Sequence, residues 1–78
     1  MSVSARIDLI LSTLNATEIG SLDSVAEKLR QARDLLREIE QPELATRADE
    51  TLAALGRGDV AEFKRGRAFL QSKLGHLR

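Results

Sequence analysis

Residues 22–39 read LDSVAEKLRQARDLLREI, and this stretch decides the fold. Leu22, Val25, Leu29, Ala32, Leu36 and Ile39 follow one another in alternating steps of three and four. That spacing returns successive side chains to one side of a helix with about 3.6 residues per turn, whereas a strand would scatter them over both faces. The positions between them are mostly charged, so the segment is an amphipathic helix with a heptad-like apolar seam. Ser21 stands where an N-cap belongs, and Ser24 with Glu27 offers a competing capping box one turn later.

Working outward, Gln41-Pro42 ends this helix, because proline disfavours helical geometry in the residue before it and suits the first turn of a new helix. The next segment, residues 42–55, places Leu44, Ala45, Ala48, Leu52 and Leu55 on one face, and its alanines allow close approach of neighbours. Gly56 is the expected C-cap. Asp59 and Glu62 then open a fourth helix over residues 60–74, with Val60, Phe63, Gly66, Leu70, Leu74 and Leu77 as its stripe and Gly75 closing it. On the N-terminal side, residues 3–14 carry Val3, Ile7, Ile10, Leu11 and Leu14 at helical spacing, capped by Ser2 or Ser4. A polar loop, residues 15–21, follows. No useful strand-type alternation and no convincing internal repeat interrupts this pattern. The expectation is therefore an all-α domain over residues 1–78: a small antiparallel bundle of three longer helices and a short N-terminal one, with dimerisation or exchange of the first helix as ways of completing it.

A chain of 78 residues holds one core at most. Hydrophobic residues make up 42% and charged residues 31% with no formal net charge, which excludes the disordered class. Aromatics are restricted to Phe63 and Phe69, so the core is aliphatic and thin, and chains of this size usually need a disulfide, a metal or a partner. There is no Cys and one His, which leaves association. The lack of Cys fits a cytoplasmic protein. The apolar stretch at residues 7–14 is broken by Asp8, Ser12 and Thr13 and reads as neither a signal peptide nor a membrane span.

Acid–base or nucleophilic catalysis needs a titratable group held beside a partner. The chain offers no Cys, no Tyr and only His76, which reads as a solvated residue or a helix C-terminal cation. Its carboxylates lie among Arg and Lys without the Glu-x-x-His pairing of di-metal bundles. Gly56-Arg57-Gly58-Asp59 lacks the Lys-Ser/Thr ending of a phosphate-binding loop, and the Arg57-Gly58-Asp59 tripeptide is accounted for by a turn and a helix cap. Asn15-Ala16-Thr17 matches a glycosylation sequon and, with no secretory route expected, reads as a chance match. The expectation is a non-enzyme with no catalytic, cofactor or metal site.

What remains is surface. Leu9, Leu35 and Phe69 project away from the centres of their stripes, and Gly66 costs about 1 kcal/mol relative to Ala inside a helix, which points to a close helix contact. Leu9, Leu35, Gly66 and Phe69 are therefore the candidate interface of a protein–protein interaction module (an adaptor, chaperone-like partner or regulatory subunit) that binds itself, as a homodimer, or another helical protein. From residue 57 onward six basic residues stand against two acidic ones. That asymmetry supports a rival reading, a nucleic-acid-binding regulator using Lys64, Arg65, Arg67 and Lys73.

Overall fold

The structure is a computed structural model that describes residues 3–18 and 20–77, with the backbone alone at Glu18. Its helices are α1 (Val3–Asn15), α2 (Leu22–Glu38), α3 (Pro42–Gly56) and α4 (Val60–Leu77), with a 3-10 turn at Ala16–Glu18. No strand occurs among the described residues. Each helix packs on its neighbour in order, and α4 returns to α1; among the described residues the Cα atoms of α1 and α3, and of α2 and α4, stay more than 8 Å apart, as those of diagonal helices of a bundle do. This ring of contacts is a four-helix bundle, 34 × 22 × 18 Å. No helix is long and apolar enough to cross a membrane among the described residues.

The helix ends follow local chemistry. Ser21, with an extended backbone, accepts a hydrogen bond from the Ser24 amide at 3.2 Å and caps α2. At the other end of α2, the Glu40 amide donates to the Arg37 carbonyl and the Gln41 amide to the Leu36 carbonyl. This is a Schellman closure, which requires a left-handed residue after the C-cap. Glu40 fills that place at φ 59°, where glycine is the usual occupant. Pro42 then starts α3 directly.

The α3–α4 turn repeats the motif. The Gly58 amide donates to the Leu55 carbonyl and the Asp59 amide to the Ala54 carbonyl, with Gly58 at φ 76°. The helix thus runs through Gly56, and Gly58, not Gly56, supplies the left-handed turn, two residues beyond the expected cap. Asp59 caps α4 by accepting from the Glu62 amide at 3.1 Å. Glu62 does not complete the capping box, because the Asp59 amide is already committed to Ala54. The tripeptide Arg57-Gly58-Asp59 is this turn and cap. Gly75 does not close α4, which continues to Leu77. Ser2, one of the two candidate caps of α1, lies outside the described residues.

The core draws on every helix: Ile7, Ile10 and Leu14 from α1, Val25, Leu29, Ala32 and Leu36 from α2, Leu44, Ala45 and Ala48 from α3, and Phe63, Leu70 and Leu74 from α4. The stripes hold in their middles and fail at their ends. Val3, Leu22, Val60 and Leu77 are exposed, because a terminal turn projects past the helices it packs on. The expected loop after α1 hides a polar residue: Thr17 is buried, and its hydroxyl donates to the Leu14 carbonyl at 2.6 Å.

Arginine–carboxylate contacts fasten successive helices at their edges. Arg6 reaches Glu38 at 4.0 Å, Arg33 and Arg37 both reach Asp49, at 3.1 and 3.3 Å, and Arg47 reaches Glu62 at 3.2 Å. Hydrogen bonds to Asp49, and next to Asp34, raise the Arg33 pKa above its ordinary value. The ring is closed by Gln71 on α4, whose amide donates to the Asn15 side-chain oxygen at 2.8 Å. The solvent-exposed members of this set, such as Arg6–Glu38, contribute little to stability.

Candidate interaction surface

The α3–α4 contact fixes the geometry of the site. Gly66 is buried, and a Cβ placed on it would fall on the Thr51 hydroxyl and 3.0 Å from the Thr51 Cβ. The two backbones therefore meet at the level of Thr51 and Gly66. Thr51 is itself buried, and its hydroxyl donates to the Arg47 carbonyl at 2.8 Å, so no unpaired polar group is left behind. The close contact expected of Gly66 is present, and it lies inside the chain, between α3 and α4.

Below that level the helices frame a groove of about 540 Å³. Leu44 and Phe69 give it an apolar lining, Glu43 and Glu50 stand on the α3 side, and Lys73, His76 and Leu77 on the α4 side. Phe69 remains 41% exposed. The Arg47 guanidinium lies 5.5 Å and the Lys73 ammonium 5.6 Å from its ring centre, within cation–π range. Arg47 is half-buried and also bonds Glu62 at 3.2 Å. The ring thus has two cations against it while part of its surface stays in water.

The four candidate interface residues do not converge. Phe69 lines the groove, whereas Leu9 and Leu35 are not among its lining residues. Leu9 is exposed on α1, and Leu35 is half-buried against the core. The residues that the sequence did not single out here are Leu44, Arg47, Glu43 and Glu50. Leu44 was legible as core, but Arg47 looks like any solvated cation on a polar face until α4 is placed beside it.

The four basic residues of the rival reading also separate. At about 100° per residue, Lys64 and Lys73 point to roughly opposite sides of α4, with Arg65 and Arg67 in two further directions. Arg65 bonds Glu62 at 2.8 Å, Arg67 covers the Phe63 ring at 5.4 Å and Lys73 covers Phe69. They do not form one basic face of the kind that tracks a phosphate backbone. Among the described residues no group of three or more His, Cys, Asp or Glu side chains is placed to hold a metal ion.

Comparison of the chain with protein-family models, with curated proteins and with solved structures returns no match. The functional reading therefore rests on the groove.

Proposed function

We propose that the chain is a non-catalytic helical interaction module, a small adaptor, chaperone-like or regulatory subunit, that associates through the α3–α4 groove and does so with itself. The observation that carries this reading is Phe69, with the Arg47 and Lys73 cations both within cation–π range of its ring and 41% of its surface in water. A fixed aromatic ring loses little conformational freedom when a partner covers it, which is why such residues dominate interface energies. A Phe side chain carries roughly 200 Å². Covering the exposed two fifths removes about 80 Å² from water, a gain of about 2 kcal/mol per ring. A symmetric pair would collect this twice. The thin aliphatic core gives association a second role, since any partner that binds only the folded state stabilises it.

Sedimentation equilibrium on the wild type and on Phe69→Ala measures this directly. The wild type is expected above the 8.6 kDa of one chain, and the variant at the monomer mass with unchanged helical circular dichroism. A wild type that stays monomeric up to about millimolar concentration, or a variant that associates as before, would overturn the reading.

A further inference from the structure

We infer that the occupant of the groove is a second copy of this chain, related by a two-fold axis that runs parallel to the helices, so that α3 of each copy lies on α4 of the other. This rests on self-association through the groove, as proposed above, and adds the symmetry and the residue pairing by which the second copy fills it.

The argument is one of charge and level. The α3 edge of the groove carries Glu43 and Glu50, neither of which has an ion-pair partner within 4.0 Å among the described residues. The α4 edge carries Lys73 in the groove and, beyond the groove lining, Arg65 one turn before Phe69 on the same side of the helix; Arg65 shares Glu62 with Arg47 and keeps most of its side chain in water. Arg47 on the α3 side is already matched by Glu62 of α4 at 3.2 Å, so the charge left over is acidic on the α3 edge, at Glu43 and Glu50, and basic on the α4 edge. A two-fold axis along the bundle exchanges the walls, setting each acidic edge against the other copy's basic edge. An axis across the bundle would instead set acid on acid and base on base.

The heights agree as well. Thr51 and Gly66 are level, and each residue along a helix rises about 1.5 Å. Glu43, eight residues before Thr51, lies about 12 Å below that level, and Lys73, seven residues after Gly66 on the descending helix, about 10.5 Å below it. Glu50 and Arg65 lie about 1.5 Å below and above the same level. An axis parallel to the helices preserves height, so Glu43 meets Lys73 and Glu50 meets Arg65 in the facing copy, with Phe69 between the two pairs. Such an isologous contact uses the same patch twice and closes after two copies.

Charge-edge variants test the orientation, and all of the altered side chains are exposed. In Glu43→Lys/Glu50→Lys both edges become basic, and in Arg65→Glu/Lys73→Glu both become acidic. Sedimentation equilibrium should give monomers for each alone, with at least a ten-fold rise in Kd, and a one-to-one dimer on mixing. A protein with all four changes exchanges the two walls and should dimerise as the wild type does, because the pairing depends on charge and not on which wall carries it. The two-residue variants decide the orientation: acid-on-base packing turns to repulsion in each, whereas acid-on-acid packing already carries that repulsion in the wild type and would leave their Kd unchanged. If Phe69→Ala abolishes association but the two-residue variants dimerise as the wild type does, the orientation is wrong and the groove remains the contact surface; if the four-residue variant stays monomeric, pairing of these charges is excluded. If Phe69→Ala has no effect, the groove itself is excluded.

Discussion

Substituting Gly66 by alanine opposes two effects of known sign. On propensity alone the change should stabilise α4, since glycine inside a helix costs about 1 kcal/mol relative to alanine. The packing opposes it. The new methyl would fall on the Thr51 hydroxyl and lie 3.0 Å from its Cβ and 3.1 Å from its Cγ2. The Cβ–Cβ distance is set by the two backbones, so rotating Thr51 does not clear it, and α3 and α4 must separate by a few tenths of an ångström. Overpacking costs roughly 1–3 kcal/mol, the overlap with the Thr51 hydroxyl puts this site toward the upper end, and the net expectation is a loss of about 1–2 kcal/mol. For a domain of this size each kcal/mol corresponds to about 4–8 °C in Tm. Thermal unfolding by circular dichroism, with urea unfolding for the free energy, measures the change. Adding Thr51→Ala removes the hydroxyl and methyl but leaves the Cβ contact, so the double variant should recover about 1 kcal/mol more than the sum of the single changes. A Gly66→Ala protein as stable as the wild type, or more so, would show that helix propensity is unopposed and that the backbones are not in contact at this level.

Further outcomes follow from the helix ends and the bundle edge. Glu40→Gly should stabilise the fold by about 0.5–1 kcal/mol in urea unfolding, because Glu40 sits at φ 59° in a Schellman closure and glycine holds that conformation without a Cβ penalty; destabilisation would mean the turn is closed differently. Asp59→Ala should cost about 1 kcal/mol through loss of the bond from the Glu62 amide, and Asp59→Asn much less; equal losses would remove the cap from the explanation. Native-state hydrogen exchange should show α1 opening before α2 and α3. It is the shortest helix, and its outer edge carries exposed Val3 and Leu9. Equal protection of α1 and α2 would contradict this.

The middle of each helix was legible because burial is periodic and the period is visible one helix at a time. Leu29, Ala32 and Leu36, or Ile7, Ile10 and Leu14, are buried where the stripe places them. The ends were not legible in the same way. Leu22 and Val60 satisfy the spacing and remain in water, since whether a terminal turn is covered depends on how far the neighbouring helix extends. Thr51 shows the converse. A polar residue in an Ala-rich helix reads as surface, yet it is buried because it faces a glycine on α4 and satisfies its hydroxyl within its own turn. Glu40 was missed because left-handed C-caps are sought at Gly or Asn.

The groove required a kind of information that periodicity does not carry. A helical wheel tells which residues of α4 share a side with Phe69, and which residues of α3 share a side with Arg47, but not which of the first set stands level with which of the second. That relation is set by one non-periodic event, the meeting of Gly66 with Thr51. Gly66 was visible as an anomaly in the sequence, a helix-weakening residue in the middle of an apolar stripe, and Thr51 was not. Once the two are joined, Arg47 falls beside Phe69, Glu43 falls level with Lys73, and separate solvated charges become the two walls of one surface. The same contact that stabilises the α3–α4 pair therefore positions the residues through which the pair would meet another chain. Loosening it by Gly66→Ala should weaken association as well as folding.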